Sequence, residues 1–288
     1  MSATTTPPSR NTGARIRRAI TRPSRIPAYL LWQLRTWSEE WSESRMQARC
    51  DRALSRWTPQ EVREERESYI SRATGESITS VQAWVQEVED DRAFLEHVEG
   101  CRLELTRQKI AGNSPQEDCI TLYALVRALR PREVVETGMY FGASASFILR
   151  AMEQNGLGTL HSIDLPSEAG GPYGSPYGLG CMVPSDLRQR WQVHWGDAKE
   201  ILPHLLDELV EIDMFFHDSV HTDDFMIWEY ETAWPAVRAG GMLCSHDVWR
   251  NRVFPDFVSR HCETVSDSAR ICNVGAIRKS SMIGTASP

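Results

Sequence analysis

Beyond residue 113 the chain alternates short apolar runs with longer stretches whose apolar positions recur every three or four residues. These are the periods of a buried strand and an amphipathic helix. Strands are predicted at 133–137, 159–164, 191–195, 212–217 and 241–246, with helices at about 143–155, 198–209, 223–238 and 251–261. Ser114-Pro115-Gln116-Glu117 has the form of a capping box and opens a further helix through Leu122, Leu125 and Leu129. Five strands alternating with helices predict an α/β fold with a mostly parallel sheet covered on both faces. The last two runs, about 263–267 and 271–278, leave no room for a helix between them, so they are expected to form an antiparallel hairpin at one edge.

The first 113 residues follow a different pattern. From 38 to 110 the chain reads as helix throughout, with few glycines, many Glu and Arg, and a second capping box at Thr58-Pro59-Gln60-Glu61. Val81, Trp84, Val85 and Val88 form one apolar stripe, and Phe94, Leu95 and Val98 continue it. Such a region packs on something: the α/β domain, a second subunit as in a homo-oligomer, or a substrate. Residues 26–37 put Leu30, Leu31, Leu34 and Trp37 on one helical face, which either packs on the body or lies at a membrane interface. Residues 1–25 are rich in Ser, Thr, Pro and Arg and are expected to be a disordered arm. The predicted organisation is therefore a basic arm over 1–25, a helical region over 26–113 and an α/β domain over 114–288.

Charge sharpens that division. Residues 1–37 hold seven arginines and no acid, leaving 25 basic against 39 acidic residues, a net of −14, in the remainder. A basic tail on an acidic body argues against a nucleic-acid partner and leaves the arm as a point of peripheral contact with an anionic membrane. No apolar run approaches the roughly 18 residues needed to cross a bilayer. Seven scattered cysteines without a C-x-x-C pair read as reduced thiols of a cytoplasmic protein.

The chemistry gathers at the ends of the predicted strands. Val134-Val-Glu136-Thr-Gly138-Met-Tyr-Phe-Gly142-Ala-Ser144 is a strand, a glycine turn and a helix start. Glycine there lets the backbone approach a ligand, and the free N–H groups of the next helix attract an anionic end. The spacing is neither the G-x-G-x-x-G of nicotinamide enzymes nor a P-loop. The next strand ends at Asp164, able to accept hydrogen bonds from both hydroxyls of a ribose. The third ends at Gly196-Asp197-Ala198, where an acid or backbone can meet an adenine edge. Capping of the helices that follow is the alternative role for either acid. Residues 165–183, with five glycines and three prolines, are a loop suited to close over ligands through Tyr173 and Tyr177.

Together with Phe215-Phe-His-Asp218-Ser-Val-His221, Gly240-Gly-Met-Leu and Ser245-His-Asp247-Val, these motifs resemble the class I S-adenosylmethionine (SAM)-dependent methyltransferases over about 114–278. The nearest branch in appearance is the small-molecule O-methyltransferases of macrocin (sugar) and catechol or caffeoyl-CoA type. The resemblance implies a Rossmann-like, seven-stranded, mostly parallel sheet with an antiparallel last strand. It also implies SAM as cofactor, with its methionine end at Glu136, Gly138, Gly142 and Ser144, its ribose at Asp164 and its adenine near Asp197 and Ala198.

Two acids at adjacent strand ends, Asp218 and Asp247, can share a hard divalent cation such as Mg²⁺. A cation there acidifies a substrate hydroxyl, and His221, of a residue type that changes charge near neutrality, can take the proton. The resemblance implies the same roles: Asp218 and Asp247 as metal ligands and His221 as catalytic base. It also exposes a departure, since catechol-type enzymes follow the second acid with a coordinating Asn and this chain has Val248. Strand alternation would turn His217 and His246 away from the site if the acids point in, so neither is placed in the catalytic set, though either can support it from behind. The expected activity is O-methylation of a small-molecule or sugar hydroxyl. The same motifs also suit a metal-independent N- or O-methyltransferase on protein or lipid, or a non-catalytic SAM-binding module.

Overall fold

The computed structural model describes residues 55–108, 110, 114–166, 178–261 and 273–280. The chain divides into Met1–Ser55 and Arg56–Pro288, and the described elements belong to the second unit. The expected arm, the stripe at 26–37, the loop tyrosines 173 and 177, and the strand at 263–267 lie outside the described residues.

Three helices open the unit: α1 (Pro59–Thr74), α2 (Ile78–Asp90) and α3 (Arg92–Arg107). The first starts at the expected capping box, in which Glu61 N donates to Thr58 Oγ1 (3.2 Å) and Thr58 N donates to Glu61 Oε2 (2.7 Å). Each box satisfies two N–H groups that helix geometry leaves without partners. Val81, Val85 and Val88 of α2 and Phe94, Val98 and Leu105 of α3 are buried. At about 1.5–3 kcal/mol for each fully buried large apolar side chain, this stripe holds the helices against α4 (Gln116–Leu129) and α5 (Ala143–Asn155). Phe94 meets Phe147 edge-on at 4.9 Å. Buried Arg66 of α1 pairs with Glu89 and Glu117, and Arg127 of α4 pairs with Glu87 of α2.

The sheet comprises β1 (Glu133–Thr137), β2 (Thr159–Asp164), β3 (Trp191–Trp195), β4 (Ile212–His217), β5 (Val237–Ser245) and β6 (Gly275–Arg278). Its order is β3-β2-β1-β4-β5-β6, parallel except for β6. Helices α6 (Ala198–Leu209), α7 (Asp223–Ala233) and α8 (Val253–His261) complete the layers of a Rossmann-like α/β fold. The strand order reverses between β1 and β4, and in such sheets ligands bind outside the carboxyl ends at that point. Among the described residues, no helix is long and apolar enough to cross a membrane.

Among the described residues the sheet has six strands, with β6 antiparallel to β5, and the other strand of the expected hairpin lies outside them. Three details depart from expectation. The helix expected to reach 238 stops at Ala233, with Trp234 as its cap, because Pro235 has no N–H to carry the ladder on. The freed residues extend β5 back to Val237. Pro115, not Ser114, flanks α4, with no side-chain cap. The Ser114 hydroxyl is engaged elsewhere, as described below.

Candidate functional site

At the switch point β1 ends in Thr137 and the chain enters the Gly138 turn. Gly138 adopts φ +84°, and its N–H donates to Ile163 O at 2.9 Å. A Cβ on it would overlap the Asp218 carbonyl and lie 2.7 Å from Ser219 Cα, so the turn rests directly on the backbone leaving β4. Gly142, also left-handed, flanks α5 without a side-chain cap, leaving the first N–H groups of that helix open to an anionic group. Buried Glu136 accepts hydrogen bonds from Ser144 Oγ and, at 2.7 Å, from Ser162 Oγ. Burial pushes its carboxyl up to about 7, against the lowering effect of the two serines.

Asp164 lies beside this turn, where its carboxylate accepts from Tyr140 N and Leu165 N, both at 2.7 Å. Burial raises its carboxyl pKa while these backbone donors oppose the rise. Asp164 thus braces the glycine turn as well as marking the end of β2. Asp197 is exposed and caps α6, accepting from Lys199 N at 2.8 Å. Glu136, Gly138, Gly142, Ser144 and Asp164 therefore gather at one turn, with Asp197 and Ala198 one strand further out, where Gly196 N donates to Asp164 O.

A second group gathers between β4 and β5. Asp218 N donates to Thr137 O (3.0 Å) and His246 N to His217 O (2.8 Å), carrying both strand ladders one residue past their ends. Asp247 then takes φ +57°, which breaks the strand alternation. For that reason His246 is not turned away as expected but faces inward beside the acids. Its Nδ1 lies 2.9 Å from Asp218 Oδ1 and 3.6 Å from Asp247 Oδ1. His221 Nε2 lies 3.6 Å from both Asp218 Oδ1 and Asp247 Oδ2. That nitrogen is buried and has no hydrogen-bond partner.

Elements distant in sequence fix the group. Ser114 Oγ donates to Asp218 Oδ2 at 2.8 Å. Buried Asp118 of α4 lies 3.1 Å from His246 Nε2 and accepts from Asn273 N at 2.9 Å. Asn273 Nδ2 donates to Asp247 Oδ1 at 2.6 Å. His217 points behind the site, paired with buried Glu229, which also accepts from Thr137 and Ser219. Burial would raise the Asp218 carboxyl, but the His246 charge, the hydrogen bond from His246 and the nearby His221 imidazole hold it well below the usual carboxylate range. Burial would likewise lower His246, and the charge of Asp218 with hydrogen bonds to Asp118 and Asp218 raises it well above an ordinary histidine.

The structure brings Asp218, His221 and Asp247 near one another and adds His246, Ser114, Asp118 and Asn273, which sequence reasoning did not place there. Ser114 and Asp118 looked like an ordinary helix start, and Asn273 approaches from β6 with no spacing to reveal it. Val248, the residue that cannot coordinate, is buried.

Residues 135–248 match a family model described as a methyltransferase domain. No curated protein matches the chain in sequence. Among solved structures, the O-methyltransferase from Bacillus cereus in complex with SAH is 19% identical, with 69% of this chain and 100% of that one covered at a TM-score of 0.48. The O-methyltransferase TomG from Streptomyces achromogenes, involved in tomaymycin synthesis and solved with SAM, is 19% identical, with 63% and 75% covered at 0.43. The SAH-bound methyltransferase PaMTH1 from Podospora anserina is 17% identical at 0.42; 55% of this chain is covered, and the match spans only 63% of that protein's length.

Proposed function

We propose that the chain is a SAM-dependent methyltransferase, in keeping with the match of residues 135–248 to a methyltransferase domain, and that it methylates a hydroxyl oxygen of a small molecule with the help of a divalent cation, in the cytoplasm. The observation that carries the reading is the direct packing of the Gly138 turn on the Asp218 backbone. It puts the turn suited to the methyl donor beside a half-buried cluster of two carboxylates and two imidazoles. Under this reading Glu136, Gly138, Gly142 and Ser144 face the donor's methionine end, Asp164 its ribose, and Asp197 with Ala198 its adenine. The free thiols of Cys101, Cys119, Cys181 and Cys244 suit a reducing compartment.

Methyl transfer is a displacement in which the oxygen must line up with the sulfonium methyl, so holding the acceptor accounts for much of the rate. The donor set fits a cation: carboxylate oxygens of Asp218 and Asp247 converge with imidazole nitrogens, one of them buried and without a partner. Held by Asp218 and Asp247, a dication would supply Lewis acidity that lowers the pKa of the acceptor hydroxyl. His221 Nε2 takes the proton, since it alone of the two imidazoles has no hydrogen bond to lose. Ser114 and Asn273 keep the two carboxylates aimed inward.

The test is transfer from methyl-labelled SAM, with added dication and with EDTA. Transfer abolished by EDTA and restored by metal supports the reading. Full transfer in EDTA removes the cation from it and favours metal-independent chemistry.

A further inference from the structure

Resting on the cation reading above, we propose that His246 is a protein ligand of that cation through Nδ1. Asp218, Asp247 and His246 then form a mixed oxygen and nitrogen donor set, which selects a first-row transition-metal dication over Mg²⁺. Asp118 is the positioning residue that holds the imidazole for this role.

Two observations support it. The first is spacing: His246 Nδ1 is 2.9 Å from Asp218 Oδ1 and 3.6 Å from Asp247 Oδ1. Donors bound at ~2.1 Å to one cation stand about 3.0 Å apart at right angles and about 3.4 Å apart in a tetrahedron. One potential ligand atom each from Asp218, His221 and His246 also falls within 4.8 Å of the others. The second is the orientation of the ring. His246 Nε2 faces Asp118 Oδ2 at 3.1 Å, and Asp118 is itself held by Asn273 N. A cation would take the place of the Nδ1 proton that now faces Asp218, while Nε2–H stays on Asp118, the carboxylate–histidine–metal arrangement that fixes ring orientation and raises ligand basicity. His246 is buried, so the ring is not free to swing out.

Imidazole suits Zn²⁺, Fe²⁺, Co²⁺ and Ni²⁺, whereas Mg²⁺ favours oxygen donors in a near-ideal octahedron. His221 approaches Asp247 through the other carboxylate oxygen, Oδ2, and stays available for proton transfer.

The experiment uses the full chain freed of metal by chelation. Calorimetric titration with Co²⁺ and with Mg²⁺ is expected to show Co²⁺ binding tighter by roughly tenfold or more. Pulsed EPR of the Mn²⁺-loaded protein is expected to show one imidazole nitrogen coupling, which changes isotope pattern in protein made with ¹⁵N-histidine. That labelling needs no variant and so does not depend on how a mutant folds. The coupling should vanish in His246→Ala and persist in His221→Ala. Asp118→Asn should weaken Co²⁺ by about 10–100-fold while leaving Mg²⁺ affinity unchanged. Dication binding with no nitrogen coupling, equal affinity for Co²⁺ and Mg²⁺, or a coupling lost in His221→Ala instead would overturn the assignment to His246 and leave the cation reading intact. No binding of any dication would overturn both.

Discussion

Substituting Gly138→Ala tests the contact on which the site is built. An L-residue at φ +84° pays roughly 1–2 kcal/mol for left-handed backbone. The new Cβ would also lie 2.6 Å from the Asp218 carbonyl carbon and 2.7 Å from Ser219 Cα, both backbone atoms that no rotamer change can move. Forcing that overlap costs a further ~1–3 kcal/mol, for a total of about 2–5 kcal/mol. Gly156→Ala is the matched control: φ is +70°, nothing lies within 4 Å of its Cβ, and only the backbone cost applies. Urea denaturation of both variants without ligand should therefore place Gly138→Ala below Gly156→Ala by about 1–3 kcal/mol. Where both are folded, Gly138→Ala should also lose turnover by about 10²-fold, the scale of a 1 Å misplacement at a reacting centre. Its relief moves Asp218, whose oxygens are set by Ser114 and His246. Equal stability of the two variants, or wild-type turnover in Gly138→Ala, would refute the reasoning.

Replacing the buried acid in Glu136→Gln should remove a pH dependence of stability. The folded carboxyl titrates at about 7, above its unfolded value, so its contribution is fully present below pH ~4.5 and is lost as pH rises through 7. The difference is about 3 kcal/mol at most, seen as a wild-type denaturation midpoint that falls between pH 5 and 8 relative to the variant; parallel profiles would sink the assignment. His221→Ala should cut turnover by about 10²–10⁴-fold with calorimetric SAM affinity unchanged, and near-normal turnover would remove its role as base. Thr58→Ala breaks a capping box on the first helix and should cost about 1 kcal/mol in urea without altering SAM affinity; no change would mean the helix end is held by other contacts.

Strand and helix limits were legible wherever a local signal closed them. The strands ending at Thr137, Asp164 and Trp195 stop at a glycine or acid turn, and the helix over Ala143–Asn155 runs between two left-handed glycines. The start of the fifth strand is expected at 241, whereas β5 begins at Val237 and passes through Gly240 and Gly241. At the site, Asp218 and Asp247 were legible because each ends an apolar strand. His246 was not, since the alternation rule assumes a continuing strand and the backbone turns left-handed at Asp247. Ser114 fitted a capping box, yet a buried carboxylate 104 positions away takes its hydroxyl, as charge-assisted bonds outrank a neutral cap. Partners such as Asp118 and Asn273, 155 positions apart, leave no trace in spacing.

The central claim, methyl transfer to a small-molecule oxygen, is tested most directly by incubating the full chain and methyl-labelled SAM with a metabolite extract of its own organism, then separating aqueous, lipid and protein fractions. The account predicts label in a low-molecular-weight product as an ether-linked methyl, absent with His221→Ala. Label confined to the lipid or protein fraction, or methyl on nitrogen, would contradict it.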